Sequence, residues 1–249
     1  MKPDRLKRRL RLRFSKAFPL YEAQALIQKE MATELVRALE ALKRKFDRVL
    51  EIGAGTGLFS REALRRLPIR SYLASDIVPE AGGYLRGLPL FFVAADGEDL
   101  SWVRGKFDLI VSNATFQWFL APQKAFVQMA GRLTPGGILA FTTFGPETMA
   151  EVFTTARRPG PILSHEEIKA LKEDYFIPLK ERTWQKKLYF SSPREVLNHI
   201  RATGAMGHFR PLWSLKDLRK WEMAYQRLAG PRGLPLTYQP MLFVWERRR

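Results

Sequence analysis

The chain has 249 residues, 46% of them hydrophobic, enough to bury a full core and to form one elaborated domain. Its 42 lysines and arginines against 25 acids give a formal net charge of +17, more than solubility requires, so an acidic partner is expected. Cysteine is absent, which excludes disulfides, thiolate metal sites and a cysteine nucleophile; apolar runs such as 138–141 are far short of a membrane span, and with no secretory apolar segment near the N-terminus a cytoplasmic protein is expected.

Seven of the first 13 residues are basic (Lys2, Arg5, Lys7, Arg8, Arg9, Arg11 and Arg13), interleaved with Leu6, Leu10 and Leu12 as in a basic amphipathic helix. Such an arm is either solvated and frayed or held by an anionic macromolecule. Ile27, Met31, Leu35, Val36, Leu39 and Leu42 then mark a long amphipathic helix ending near Lys43-Arg44-Lys45. Strands are predicted at 48–52, 71–76, 90–96, 107–112 and 138–144, with helical segments between them at 62–67 and 122–133, the second closed by Thr134-Pro135-Gly136-Gly137. This alternation predicts an α/β fold with a doubly wound, mostly parallel sheet. Residues 147–180 lack strand character and read as helices and loops that roof the site. A strand at 182–190, helices at 193–203 and 215–228, and a last strand at 236–246 complete seven strands. Within one domain, 1–45 is an arm and helix, 46–145 the binding core, 146–181 the roof insertion and 182–249 the rest of the sheet.

Gly53, Gly55 and Gly57 follow the apolar strand and precede a helical pattern, so a turn without side chains opens onto a helix N-terminus whose N–H groups face an anion. A dinucleotide fingerprint has its third glycine where Leu58 stands, which argues against NAD. The motif Glu51-Ile52-Gly53-Ala54-Gly55-Thr56-Gly57 instead resembles motif I of class I S-adenosylmethionine methyltransferases, a Rossmann-like family with a seven-stranded sheet whose last strand is antiparallel.

That resemblance implies S-adenosylmethionine as cofactor. Glu51, Gly53, Ala54, Gly55 and Gly57 would embrace its amino-acid end. Asp76, with Ile77 beside it, ends the second strand and would accept from both ribose hydroxyls; Asp96-Gly97-Glu98 ends the third and would meet adenine. Asn113 stands where the family faces methyl transfer, but Ala114-Thr115 follows instead of the Pro-Pro and aromatic of base N-methylating enzymes, so base N-methylation is disfavoured.

Asn113 with Gln117-Trp118, the segments 139–145 and Gly233-Leu234-Pro235-Leu236-Thr237-Tyr238, and the opening Arg13-Phe14-Ser15-Lys16-Ala17-Phe18 with Tyr21 together are similar to the malonyl-[acyl-carrier protein] O-methyltransferases of biotin synthesis. Ala54 departs from the cysteine often found there, and the arm before Arg13 is unusually basic. The resemblance implies a malonyl thioester on an acidic acyl carrier protein as substrate. A carboxylate is already a nucleophile at neutral pH and needs no general base. Gln117 and Trp118 would shape its pocket, with Tyr21 as lid. Arg157, Arg158 and Arg182 lie in or beside the roof, and the sequence does not choose a carboxylate clamp among them. His165, His199 and His208 lack metal-ligand spacing and read as surface or satisfied core. Two other readings remain: methylation of another small carboxylic acid or quinone-like lipid, and an RNA-binding protein whose fold the cofactor orders.

Overall fold

The structure, a computed structural model, describes residues 3–157, 162–204 and 214–249. In chain order come α1 (Pro3–Gln24), α2 (Leu26–Glu40), β1 (Phe46–Ile52), α3 (Leu58–Arg66), β2 (Ile69–Asp76), α4 (Ala81–Tyr84), β3 (Phe91–Ala94), β4 (Phe107–Asn113), α5 (Pro122–Arg132) and β5 (Leu133–Phe144). The second half holds α6 (Ala150–Thr155), α7 (His165–Leu171), β6 (Phe176–Thr183), β7 (Lys186–Phe190), α8 (Pro193–Ala202), α9 (Leu215–Gln226), β8 (Leu234–Tyr238) and β9 (Pro240–Arg247).

Seven strands form one sheet in the order β3-β2-β1-β4-β5-β9-β6. The first five run parallel, and β9 is antiparallel to both of its neighbours. Chain order reverses between β1 and β4, so the loops after Ile52 and Asn113 open side by side at the carboxyl edge, where such sheets bind ligands. Alternation along β1 explains the two faces: Val49 packs under α2 and α3 with Leu35, Leu39, Phe59 and Ala63, while Leu50 and Ile52 face Phe126 and Met129 of α5. Phe141, Phe243 and Trp245 lie on the α5 side with ring centroids 4.9–5.3 Å apart.

Two predicted strands each divide in two. The segment expected at 182–190 is β6 plus β7, and 236–246 is β8 plus β9; β7 and β8 leave the main sheet as a two-stranded ribbon. Both breaks fall at the same level. Gln239 turns its carbonyl to the Gly145 N–H (2.7 Å) and its side chain to the Glu147 N–H (3.1 Å), while Trp184 N–H takes the Pro240 carbonyl (3.1 Å). The loop after β5 therefore takes the pairing that would have continued the ladder. β6 also begins at Phe176, so the roof insertion ends earlier than its pattern suggested. Helix α3 begins at Leu58, where the helical pattern after the glycines starts, with Gly57 at φ +87° as its N-cap. Helix α2 ends at Glu40, with Lys43 at φ +53° beyond it.

Candidate active site

The loop after β1 is shaped by β2. Gly53 and Ala54 donate their N–H groups to the Ser75 carbonyl (2.8 and 3.0 Å), and Gly55 donates to Asp76 Oδ2 (2.8 Å). The other Asp76 oxygen accepts the Val78 N–H at 2.8 Å. Gly53, with φ +76°, has no room for a side chain, since a Cβ would sit 2.2 Å from Thr115 Oγ1. At Gly55, φ is +54° and a Cβ would meet no protein atom within 4 Å, so this residue leaves space for a ligand.

Around this loop lies a cavity lined by Glu51, Gly53, Ala54, Gly55, Asp76, Ile77, Asp96, Gly97, Glu98, Asn113, Tyr21 and Trp118. The structure thus brings twelve of the residues singled out in the sequence to one space. Gly57 is not among its walls; it caps α3, and a Cβ there would meet Leu85 at 2.8 Å. Gln117 lines a neighbouring pocket instead. Thr56, Phe14, Phe18 and Lys7, which the sequence reading named within motifs and the basic arm but gave no individual place in the site, also line the cavity.

Two buried polar atoms of this wall, Glu51 Oε1 and Thr56 Oγ1, have no hydrogen-bond partner. Such atoms are costly unless a ligand satisfies them. Glu51 spends its other oxygen on Ser60 Oγ (2.5 Å) and Tyr72 Oη (2.7 Å); burial pushes its carboxyl up to about 7 despite those bonds. Burial likewise lifts Asp76 to about 6 against its backbone donors. An acceptor and a hydroxyl at the loop, a carboxylate at the end of β2 and an open glycine together suit a ligand with ammonium, carboxylate and sugar hydroxyl groups, which is the donor set of S-adenosylmethionine.

The basic arm does not float. Helix α1 covers the cavity, and Lys7 forms ion pairs with Asp96 and with Glu98, the latter at 2.6 Å. Burial pulls the Lys7 ammonium down, but the two carboxylates outweigh it and hold its pKa above the usual value. Glu98 Oε1 in turn accepts the N–H groups of Leu120 and Ala121 (2.7 and 2.6 Å). Arg5, Arg8 and Arg11 remain exposed.

Asn113 is less a contact than a tie: its amide donates to the Gln28 carbonyl (3.1 Å) and accepts from Thr142 Oγ1 (2.6 Å). Ala114 then adopts φ +52°, a strained conformation for a residue with a Cβ. Its carbonyl accepts from Gln117 Nε2 (2.6 Å), whose Oε1 accepts from Thr143 Oγ1 (3.1 Å). Phe14, Tyr21, Ala114 and Trp118 line both the glycine-loop cavity and a second, aromatic pocket completed by Gln28, Gln117, Phe144, Thr148, Met149, Phe153, Ile162, Thr203 and Tyr238. Among the described residues no charged side chain lines this second pocket. Burial raises the Tyr21 and Tyr238 phenols far above their ordinary range, so both stay protonated.

Neither remaining clamp candidate enters the pocket. Arg182 donates to Glu34 (2.7 Å) and lies over the Trp184 ring, and Arg157 is exposed; Arg158 and His208 lie outside the described residues. His199 is satisfied by Gln24 (3.1 Å) and Tyr238 (2.9 Å), and burial lowers its pKa to about 4. His165 meets Thr183 and Glu181 at the sheet edge. No cluster suited to a metal ion is found among the described residues, nor is any helix there long and apolar enough to cross a membrane.

A methyltransferase domain family matches residues 23–222. The chain is 37% identical to the malonyl-[acyl-carrier protein] O-methyltransferase of Chlorobium phaeovibrioides, covering 95% of each, and 32% identical to that of Porphyromonas gingivalis, over 93% of this chain and 92% of the relative. Among solved structures it resembles the N-methyltransferase NodS of Bradyrhizobium japonicum in complex with S-adenosyl-L-homocysteine (TM-score 0.52, 17% identity, 88% of this chain and 87% of that one). It also resembles the [4+2]-cyclase SpnF (TM-score 0.55, 16% identity, 87% of this chain and 81% of that one). At such identities the likeness speaks for the fold alone, and a cyclase among the neighbours means that chemistry has to be argued from the site.

Proposed function

The chain belongs to the malonyl-[acyl-carrier protein] O-methyltransferases, and on that premise we propose that this S-adenosylmethionine-dependent enzyme esterifies the free carboxylate of a malonyl thioester carried by an acidic acyl carrier protein, an early step of biotin synthesis. One observation carries the reading: the glycine-loop cavity shares Phe14, Tyr21, Ala114 and Trp118 with an adjoining pocket that has no charged side chain among its described walls. We read the whole chain as one methyltransferase domain acting in the cytoplasm.

Glu51, Thr56 and the Gly53–Ala54–Gly55 backbone would hold the cofactor's amino-acid end, Asp76 and Ile77 its ribose, and Asp96, Gly97 and Glu98 its adenine. Gly57 supports the loop from outside the cavity. Held there, the cofactor would supply a methyl group already electrophilic on a sulfonium sulfur, and a carboxylate acceptor needs no proton removed. The residues need only aim the carboxylate and exclude water. Tyr21, a protonated donor, is suited to orient its oxygens, while Gln117, Trp118 and Tyr238, whose hydroxyl donates to His199, wall the pocket. An uncharged pocket favours a step in which opposite charges cancel, and alignment supplies the proximity advantage. Asn113 supports the site by bonding Gln28 and Thr142.

The test is an incubation with methyl-labelled cofactor and malonyl-carrier, read by mass spectrometry. A gain of one methyl on the malonyl group is expected. Equal or better methylation of free malonate, a quinone-like lipid or tRNA would overturn the assignment.

A further inference from the structure

A broad groove runs between α1 and α8 on the outer side of the aromatic pocket. We propose that it seats the phosphopantetheine arm of the carrier protein, with the phosphate at Arg13, Lys16 and Arg201 and the thioester end toward Tyr238. This assignment rests on the malonyl-carrier reading and deepens it by naming the path of the substrate.

Residues 13, 17, 20 and 24 form one stripe of α1, spaced at three to four residues, with Lys16 beside it one turn before Leu20. Their chemistry changes in order along the helix: Arg13 and Lys16 are cationic, Leu20 is apolar and 62% exposed, and Gln24 carries a carboxamide. Facing them, α8 contributes Arg201 at the cationic end and Asn198, with Phe190 from β7 at its base. Glu195, the acid on this wall, has its carboxylate engaged by the Ser191 N–H at 3.0 Å. A phosphopantetheine arm presents the complementary series: a phosphodiester, a gem-dimethyl carbon, two amides and then the thioester.

The inner end of the groove abuts the pocket. Gln24 and His199, both groove walls, are bonded at 3.1 Å, and His199 bonds Tyr238, a wall of the pocket, at 2.9 Å. Nearby, α1 closes on α8: a Cβ on Gly204 would sit 2.5 Å from the Phe14 ring, which itself lines the pocket. Groove and pocket thus share a wall at Gln24, His199 and Tyr238, and the thioester end of an arm lying in the groove would reach that wall.

The experiment compares the binding of phosphopantetheine and of pantetheine, which differ by the phosphate alone, to the whole protein by calorimetry. The wild-type protein is expected to prefer the phosphorylated compound, and the ratio to fall roughly tenfold in the Lys16→Ala/Arg201→Ala variant, whose fold is checked by thermal unfolding. Lys124→Ala/Arg219→Ala, an equal loss of charge at exposed positions elsewhere, is expected to keep the ratio. No preference in the wild type, or a ratio unmoved in the double variant, overturns the groove. Malonyl-coenzyme A methylated better than malonyl-carrier overturns the carrier as source. Phosphate-selective binding without methylation of any malonyl thioester would instead overturn the function proposed above, so the two failures are distinct.

Discussion

Lys7 of the N-terminal helix and Glu98 beyond β3 meet at 2.6 Å on the wall of the glycine-loop cavity, and the same carboxylate holds the backbone of Leu120 and Ala121. One acid thus joins the helix that covers the cavity to the loop that follows Gln117 and Trp118.

Lys7→Met is expected to free the start of α1. The pair is only partly exposed, so its loss should cost about 1 kcal/mol, seen as faster proteolysis before residue 25 and a several-fold faster release of S-adenosylhomocysteine. Unchanged proteolysis and release would mean that the ion pair anchors nothing.

Glu51 and Asp76 give the protein a pH-dependent stability. Their folded values, about 7 and about 6, lie above the ordinary 4.5 and 3.8, so between roughly pH 4 and 7 the folded protein keeps protons that the unfolded chain has released. Stability contributed by this retention is present at low pH and lost as pH rises through the folded values, by an amount on the order of a few kcal/mol. Glu51→Gln should flatten its share of the slope in thermal unfolding between pH 5 and 8. Because a ligand ammonium stabilises the ionised carboxylate, S-adenosylhomocysteine binding near pH 6.5 should release protons, read by calorimetry in buffers of different ionisation enthalpy. No proton release would contradict the pairing.

Two glycines separate folding from binding. Gly97→Ala drives a Cβ to 2.2 Å from Ile52 Cγ2 and should destabilise the protein by about 1–3 kcal/mol. Gly55→Ala meets no protein atom, so its cost is the left-handed backbone, about 1 kcal/mol. Its new methyl enters the ligand's space, and cofactor affinity should fall at least tenfold. A Gly55→Ala protein with unaltered affinity would remove that residue from the binding wall.

Gln117→Ala removes the bond to the carbonyl of the strained Ala114 and the partner of Thr143. Gln117 lines the aromatic pocket but not the cofactor cavity, so kcat/KM for the acceptor should drop roughly tenfold or more while the cofactor Kd stays within about twofold. A matching loss of cofactor affinity would show that the pocket division is wrong.

The binding half of the molecule was legible because its signals are local. A buried strand, glycines that must reach φ above +50°, and a helix following at once are written within the short span from Glu51 to Leu58, and acids at strand ends converge once the sheet is parallel. Gly57 was legible as a needed glycine yet not in its role, since whether it touches a ligand or Leu85 depends on α4. The divided strands were illegible for a similar reason: 182–190 is continuous in β-propensity, and the break arises only where Gln239 bonds the chain at Gly145 and Glu147.

By itself the sequence determined the strand–loop–helix frame and the kind of ligand its glycines admit, because backbone conformation and periodicity are set by neighbours in the chain. Tertiary structure alone decided that Lys7 turns inward while Arg8 stays in water, and that the aromatic pocket has no charged wall among its described residues. The fate of a charge is fixed by which distant carboxylates share its burial, and a lysine carries no mark of that in the residues beside it.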